Sequence, residues 1–308
     1  MMECESYIEE GTTFAYLRFR TTLTMNYVHS KETPLMKYPV ALAAILSTAA
    51  LATAASFPQR VHYIDHDKVA AAFVKGGRII EDQGLIVIAQ RVVGRGSEMH
   101  DNTNHVFIIM DGEAEFITGG KLLDPKATAP GQTRGTGIEG GVSHHLTKGD
   151  VITIPAKTPH QWKDTSKTGS IGYYAVNFDT PAHFPPGIRY IDHDKVTAAF
   201  VKGGRILEDQ GLIVIANRGM QRGAEMHDNT NHVFIIMDGE AEFITGGKLV
   251  DPKATEPSQT RGTGIEGGVS HHLTKGDVIT IPAKTPHQWK DTSKTGSVGY
   301  FAVNLESN

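Results

Sequence analysis

The chain has 308 residues and a formal net charge of −4, with 39% hydrophobic and 21% charged residues. This balance is typical of a globular protein and excludes a disordered chain. The acidic net charge and the absence of a long run of one charge sign argue against a nucleic-acid partner, because no basic surface would neutralise phosphates. The single cysteine, Cys4, lies near the N-terminus. A disulfide framework and a cysteine-based metal site are therefore excluded from the folded part.

A short basic start and an apolar, alanine-rich run follow Met36. Ala52-Thr53-Ala54 fits the small-residue rule of cleavage sites, so residues 36–55 are predicted to be a secretory signal peptide. An uncleaved membrane anchor is the alternative, since the run approaches the roughly 20 residues that span a bilayer. The first interpretation makes residues 1–35 an upstream extension. The mature protein would then be periplasmic or secreted, and not held in a membrane.

The remainder of the chain is an internal duplication. Residues 63–178 match residues 190–305 at a constant offset of 127, and the 116 paired positions differ at 13, which leaves 103 identical. A period of this length predicts two complete domains rather than a solenoid. We place these domains at residues 57–178 and 190–308. The proline-rich segment 179–189 is predicted to be a short, stiff linker between them.

Each copy begins with one short predicted helix, which Asp65 or Asp67 caps and which ends at Gly76-Gly77. The segments that follow indicate strands separated by Gly, Pro and Asp turns: RII, GLIVIAQRVV, HVFIIM, GEAEFITGG, DVITIP and GYYAVNF. This succession predicts an all-β sandwich or small barrel. Because HVFIIM is apolar on both faces, we expect the other domain or a second chain of a homo-oligomer to cover its outer face.

Two polar motifs with fixed spacing lie between these strands. They read Gly94-x5-His100-x-Asn102-x2-His105-x6-Gly112 and Gly149-Asp150-x4-Pro155-x-Lys157-x2-His160. They resemble the two motifs of the cupin superfamily, G-x5-H-x-H-x3-4-E-x6-G and G-x5-P-x-G-x2-H. The resemblance covers residues 85–178 and again 212–305. It implies an all-β bicupin of two tandem double-stranded β-helix barrels of the jelly-roll type, each with one short N-terminal helix.

The departures from the family pattern change the implied metal ligands. Asn102 stands where the family has a second histidine, His105 occupies the glutamate position, and Lys157 replaces a glycine. Carried over position by position, the resemblance implies three ligands per copy, His100, His105 and His160 in the first and His227, His232 and His287 in the second. Asn102 and Asn229 are candidate fourth ligands.

The local sequence is compatible with such a site. His100 and Asn102 are two residues apart on an extended segment and therefore face the same way. Three imidazoles at one barrel mouth favour one divalent transition metal per domain, which leaves Zn, Fe, Mn, Ni or Cu, and they disfavour calcium and magnesium. The alternative is that these histidines only fill polar positions in the barrel. The three-histidine set resembles the sites of the thiol and diketone dioxygenases among the cupins.

Further residues are candidates for contact with the substrate. Glu98 shares the face of His100 and is interpreted as a fourth ligand, a general base or a solvated carboxylate. Arg134 lies in the long segment 121–141 and is a candidate for holding an anion, with an ordinary hairpin as the alternative. His144 and Trp162 are candidate pocket walls, with surface placement and core packing as their alternatives. The same candidates in the second copy are Glu225, Arg261, His271 and Trp289.

These features predict an exported, metal-dependent enzyme that acts on a small organic substrate. The resemblance implies a dioxygenase-type oxidation as its reaction. A metal-dependent isomerase or lyase uses the same ligand set and remains an alternative hypothesis. A non-catalytic module that binds a metal or a small molecule is the other, because fold alone does not decide function.

Overall fold

The computed structural model describes residues 4–9, 12–17, 57–179 and 183–307. The predicted signal peptide at 36–55 therefore lies outside the described residues. Strands β1 (Cys4–Glu9) and β2 (Thr12–Leu17) pair as an antiparallel hairpin. Neither of the two helices in the described ranges combines the length and the apolar character that a membrane crossing requires.

Two all-β units follow, each with one short helix, and they repeat the same order of elements. The first contains β3 (His62–Ile64), α1 (His66–Lys75), β4 (Gly77–Asp82), β5 (Leu85–Val92), β6 (Ser97–His100), β7 (Thr103–Asp111), β8 (Glu113–Thr118), β9 (Lys121–Leu123), β10 (Lys126–Ala129), β11 (Gln132–Gly135), β12 (Gly137–Glu139), β13 (Val142–Thr147), β14 (Val151–Ile154), β15 (His160–Asp164) and β16 (Ile171–Asp179). The second contains β17 (Arg189–Ile191), α2 (His193–Lys202), β18 (Gly204–Asp209), β19 (Leu212–Gly219), β20 (Ala224–His227), β21 (Thr230–Asp238), β22 (Glu240–Thr245), β23 (Lys248–Val250), β24 (Lys253–Glu256), β25 (Gln259–Gly262), β26 (Gly264–Glu266), β27 (Val269–Thr274), β28 (Val278–Ile281), β29 (His287–Asp291) and β30 (Val298–Glu306).

The helix of each unit begins and ends as its sequence predicts. The side chain of Asp65 caps α1 by accepting a hydrogen bond from the backbone N–H of Lys68 at 3.1 Å. Gly76 ends the helix with a φ of 70°, a left-handed conformation that glycine adopts without steric cost. The predicted short N-terminal helix of each domain is therefore confirmed.

Each barrel is closed by two six-stranded antiparallel sheets. In the first barrel their orders are β17-β14-β7-β16-β5-β4 and β10-β11-β6-β15-β8-β13. In the second they are β3-β28-β21-β30-β19-β18 and β24-β25-β20-β29-β22-β27. The prediction of two tandem all-β barrels is confirmed. The second sheet of each barrel carries the strands β6 and β15, or β20 and β29, which bear two of the three histidines.

The barrels exchange their first strands. Strand β3 pairs with β28 of the second barrel, with Ile64 opposite Val278. Strand β17 pairs in the same way with β14 of the first barrel, with Ile191 opposite Val151. Each barrel therefore completes the sheet of the other, and the two are joined by backbone hydrogen bonds as well as by side-chain packing.

The strand HVFIIM explains how one sequence serves two cores. Val106 and Ile108 are fully buried in a cluster that also contains Val233 and Ile235 of the second barrel. Phe107 and the other alternating residues point the opposite way, into the interior of the first barrel. Successive side chains of a strand face opposite sides, so an all-apolar strand can pack both ways. The outer face is thus covered by the other domain, which was one of the two expected alternatives.

Aromatic side chains fill the interior of each barrel below the histidines. Trp162 is only 4% exposed and stacks on Phe107 with ring centroids 5.8 Å apart. Phe107 in turn lies 5.5 Å from the ring of His105. The apolar core therefore lies directly beneath the histidine cluster and closes the barrel on that side. In the second barrel Trp289 and Phe234 repeat this arrangement, with ring centroids 5.8 Å apart.

Candidate metal centre

Three histidines from three different strands meet at one end of each barrel. His100 ends β6, His105 lies in β7 and His160 begins β15. Their ring centroids are 5.0, 5.6 and 5.1 Å apart. One ring nitrogen of each lies within 4.8 Å of those of the other two, and the same holds in the second barrel for His227, His232 and His287. The structure thus brings together the six histidines that the sequence indicates as ligands.

Asn177 fixes the orientation of His105. The two residues are directly opposite on β16 and β7, and the Nδ1 of His105 lies 2.9 Å from the amide oxygen Oδ1 of Asn177. Since an amide oxygen only accepts, Nδ1 carries the proton and Nε2 presents its lone pair. Asn304 holds His232 at the same 2.9 Å distance. The sequence reasoning missed both asparagines, although Asn177 is the one amide in the apolar run GYYAVNF.

A backbone carbonyl orients His160 in a similar way. Its Nδ1 donates to the carbonyl oxygen of Thr158 at 3.0 Å, which leaves Nε2 as the unprotonated nitrogen. The local turn Thr158-Pro159 thus both starts β15 and sets the tautomer of its first residue. The carboxylate oxygen Oε1 of Glu98 lies 3.7 Å from this Nε2. Glu98 therefore borders the histidine cluster, on the same strand as His100.

The third ligand candidate, His100, is held through its backbone. Its carbonyl oxygen accepts a hydrogen bond from the N–H of Lys157 at 2.6 Å. Lys157 has a φ of 62°, so the position that is glycine in the cupin pattern keeps the left-handed conformation although its residue is lysine. The turn between β14 and β15 therefore has the backbone conformation that favours glycine, with a lysine in it. It ties the end of β6 to the start of β15.

Buried nitrogens without partners show that the cluster fits a metal ion. Nε2 of His105, of His160 and of His232 is buried and has no hydrogen-bond partner among the described residues. A buried polar atom that is left unpaired costs about 1–3 kcal/mol. A cation bound between the three imidazoles would accept these lone pairs and remove that cost. A neutral set of three nitrogens suits Zn, Fe, Mn, Ni or Cu.

Burial keeps the imidazoles in the form that binds metal. Desolvation, followed by the neighbouring histidines, lowers the pKa of His105 and of His232 well below the usual range. Burial and the nearby His287 also lower the pKa of His227 to about 4. Neutral histidine is the species that binds a metal ion. His105, His227 and His232 are therefore unprotonated at neutral pH, before any ion binds.

We expect the metal-free chain to lose stability as the pH falls below about 6.5, the pKa of an unfolded histidine. In the fold the pKa values of His105 and His232 are far lower, so below that pH the unfolded chain binds more protons. The free energy of unfolding then decreases as the pH is lowered. Thermal unfolding of chelator-treated protein from about pH 7.5 to about pH 5 measures this effect. A variant with both histidines changed to glutamine should give a flatter profile, and a constant melting temperature in the native chain would contradict the expectation.

A cavity opens onto each cluster. Its volume is about 640 Å³ in the first barrel and about 460 Å³ in the second. Glu98, Asn102 and Arg134 line the first cavity, as their selection from the sequence anticipated. Arg134 lies opposite Glu98 on β11, and its Nη2 pairs with the Oε2 of Glu98 at 3.0 Å. Arg95 also lines this cavity, and the sequence reasoning missed it.

The second cavity repeats most of these contacts. Glu225 and Asn229 are among its lining residues. Arg261 pairs with the Oε2 of Glu225 at 3.1 Å. Burial by itself would raise the pKa of Glu225, but the contact with His287 and the nearby guanidinium of Arg261 lower it well below its usual range. This carboxylate is therefore ionised, which suits a ligand or an orienting group better than a general base.

Four of the proposed substrate contacts lie away from the cavities. The Nε2 of His144 is 2.8 Å from the Oγ1 of Thr118, and the imidazole faces the ring of Tyr190 at 5.8 Å. His271 has the same environment, with its ring 5.6 Å from that of Tyr63. Both histidines lie outside the cavities because their strands, β13 and β27, are at the edges of their sheets. Trp162 and Trp289 belong to the barrel cores, because each points below the histidine that precedes it by two residues.

We expect the double variant Asn177→Ala, Asn304→Ala to bind metal roughly 10–100-fold more weakly, although no ligand is removed. Without the amide oxygen the imidazole of His105 or His232 is free to rotate and to change its tautomer. Competition with a chromophoric chelator measures the affinity. The Asn177→Asp, Asn304→Asp variant keeps an oxygen acceptor and should retain tighter binding. Equal affinity in the alanine variant and the native chain would show that the asparagines do not orient the ligands.

Known proteins were compared with the chain at the levels of family, sequence and structure. No family model matches it, and no curated protein matches its sequence. Among solved structures, salicylate 1,2-dioxygenase from Pseudaminobacter salicylatoxidans is similar, with a TM-score of 0.50 at 10% identity over 80% of this chain and 84% of that one. A mutant of that enzyme in complex with gentisate gives a TM-score of 0.52 at 10% identity, over 80% and 82% of the two chains.

A third similar structure is a cupin 2 conserved barrel domain protein from Leptotrichia buccalis. It has a TM-score of 0.42 at 10% identity and covers 82% of this chain and 91% of its own. The two dioxygenase structures carry the comparison, because their TM-scores are higher. At such low identity the likeness establishes the fold alone.

Proposed function

We propose that this chain, a bicupin by its fold, binds one divalent transition metal in each barrel and acts as a dioxygenase-type oxidoreductase on a small organic molecule. The observation that carries the proposal is the histidine triad of each barrel, in which Nε2 of His105, of His160 and of His232 is buried without a partner among the described residues. The named activity of the salicylate 1,2-dioxygenase that shares the fold supports the reaction class. The cavity beside each cluster has the size of a small-molecule site.

The ligands in the first barrel would be His100, His105 and His160. A metal ion held by these three imidazoles would supply Lewis acidity and, where the ion is redox-active, electron transfer. Asn177 keeps His105 in the tautomer that offers Nε2. The aromatic floor below the cluster excludes water from that side of the reacting molecule.

Among the described residues of the first barrel, Glu98 is the one whose carboxylate lies against the histidine cluster. Its Oε1 lies 3.7 Å from the Nε2 of His160, so it can accept a proton from a substrate hydroxyl placed beside that ring. Its Oε2 is held by Arg134 at 3.0 Å. The ion pair orients the carboxylate towards the ligand side of the cavity.

The same ion pair favours a second candidate function. A carboxylate neutralised by an arginine is a weak base, and both Glu98 and Glu225 are paired in this way. A non-catalytic module that holds a metal or a small ligand needs no base. The Glu98–Arg134 pair is therefore the feature that supports a binding protein over an enzyme.

Metal analysis followed by oxygen uptake tests the two functions. We expect two equivalents of metal per chain in the purified protein, and oxygen consumption with members of a panel of phenols, thiols and diketones. Turnover of the panel without oxygen would instead indicate an isomerase or lyase. Bound metal without any turnover would favour the binding module. A fully folded chain that takes up no metal would contradict the metal site itself.

We also propose that the protein is exported to the periplasm or the medium. The support is the small-residue sequence Ala52-Thr53-Ala54 after an apolar run. N-terminal sequencing of the protein recovered outside the cytoplasm tests this. A mature chain that starts near residue 55 is expected, and one that retains residues 36–55 would contradict it.

A further inference from the structure

The two cavities differ in charge although their histidine clusters match. The charged residues that line the first cavity are Arg78, Arg95, Arg134, Glu98 and Asp179. Those that line the second are Arg205, Arg222, Glu225, Glu256 and Glu306. Arg261 pairs with Glu225 as Arg134 does with Glu98, and Glu306 stands at the position of Asp179, so the two sites differ in one charge, that of Glu256. Since the histidine clusters match in the two barrels, the electrostatic potential is more positive in the first cavity than in the second.

Glu256 accounts for the added negative charge. It ends β24 at the position of Ala129, which ends β10, and both residues line their cavities. Two residues later Ser258 stands in place of Gly131 and lines the cavity as well. Both replacements add atoms at the hairpin. The second cavity is accordingly the smaller, at about 460 Å³ against about 640 Å³.

Arg95 differs from the other two arginines of the first cavity in its pairing. Arg134 pairs with Glu98 at 3.0 Å and Arg78 pairs with Glu81 at 2.8 Å. Arg95 forms no ion pair within the described ranges, yet its side chain lines the cavity. A guanidinium that is free of partners and faces a concave site is the group that recognises carboxylates, often through two parallel hydrogen bonds.

In the second cavity the corresponding arginine shares the lining with an added carboxylate. Arg222 and Glu256 line the same space, so the charge of Glu256 opposes an anionic ligand and offsets the attraction of Arg222. Building a repulsive charge into a site is an effective way to reject one class of ligand. Glu256 is exposed, and the substitution therefore changes the ligand site without being needed for the fold.

We propose that the first cavity binds a small carboxylate ligand through Arg95 beside the metal, and that Glu256 makes the second cavity discriminate against the same ligand. The two nearly identical barrels thus have different ligand preferences. This inference rests on the proposed function, because it takes the cavities next to the histidine clusters as the ligand sites.

Reciprocal exchange of the two residues tests the inference in the full, zinc-loaded chain. Benzoate is the carboxylate probe and benzamide its neutral counterpart, and calorimetric titration measures both. In the native chain we expect one benzoate site that is about tenfold tighter than the other, as one like charge near a ligand produces. Glu256→Ala should tighten the weak site about tenfold, so that the two sites become alike. Ala129→Glu should weaken the tight site by a similar factor.

Benzamide affinity should stay the same in all these proteins, since Glu256 acts through its charge. Glu266→Ala is the matched control, because it removes one carboxylate of the second barrel that does not line the cavity, and benzoate binding should not change. Equal benzoate affinities in the native chain, no response to either exchange, or no benzoate binding at all would overturn the inference. The proposed function fails separately, through a chain with fewer than two metals. Two metals and oxygen uptake without a response to Glu256→Ala would refute the charge discrimination alone.

Discussion

Replacing both His105 and His232 with alanine is expected to leave the chain without bound metal. Each is buried, with Nδ1 committed to an asparagine and Nε2 directed at the other two imidazoles. Loss of a ligand should exceed the roughly 10–100-fold effect of losing a residue that only orients one. The single variants should each retain one equivalent of metal. Elemental analysis of the dialysed protein, normalised to chain concentration, gives the measurement.

The duplication provides internal controls for this experiment. His145→Ala and His272→Ala alter exposed histidines that pair with surface glutamates at about 3.0 Å, and these variants should keep two equivalents. Because a buried substitution can also disturb folding, His100→Ala and His227→Ala repeat the test at half-buried positions. Two equivalents of metal in either double variant would refute the three-histidine site.

The sequence could predict the histidine clusters because the spacings match the two motifs of the cupin pattern. His100 is near His105 in the chain, whereas His160 reaches them only where β15 pairs with β6, so its selection came from the resemblance. Even the exception to the family pattern, Lys157, keeps a φ of 62°. The backbone requirement of this turn therefore persists where glycine is absent, at a cost of about 1–2 kcal/mol. A motif match can thus locate such a turn even where another residue replaces the glycine of the pattern.

Residues that complete the site from distant strands could not be predicted in the same way. Asn177 faces His105 only because β16 pairs with β7 in one register. Arg134 was selected as an anion-binding residue, but the register of β11 against β6 places it opposite Glu98. A shift by one residue would turn each side chain to the other face. Sequence spacing says nothing about that register across a long connection.

The exchange of first strands was also beyond the sequence. Strand β14 and strand β28 have the same sequence, VITI, and the incoming segments HYI and RYI are nearly the same. The amino-acid sequences of these strands therefore favour pairing within a barrel and pairing between barrels equally. The three-dimensional path of the chain decides between them. A contact that exists only across the barrels is thus the appropriate test of this arrangement.

Asp277 provides such a contact, and we expect Asp277→Ala to lower the free energy of unfolding by about 3–5 kcal/mol. Its carboxylate is fully buried. It accepts hydrogen bonds from the backbone N–H of His66 at 2.6 Å and from the hydroxyl of Tyr63 at 3.2 Å, both from the first copy. It also accepts one from the N–H of Thr274 at 2.7 Å. Truncation leaves these donors without an acceptor, and equilibrium unfolding in denaturant measures the loss.

Asp150 performs the same role in the first barrel, where it accepts from the N–H of His193 at 2.6 Å. The Asp150→Ala, Asp277→Ala variant should therefore lose more stability than either single variant while it still binds two metals, because neither residue lines a cavity. Glu266→Ala, at an exposed strand position, is the control and should change stability by less than about 0.5 kcal/mol. An Asp277→Ala effect as small as that of the control would contradict the exchanged pairing. A loss of stability with unchanged metal content would show that the contact between the barrels stabilises the fold independently of the metal site.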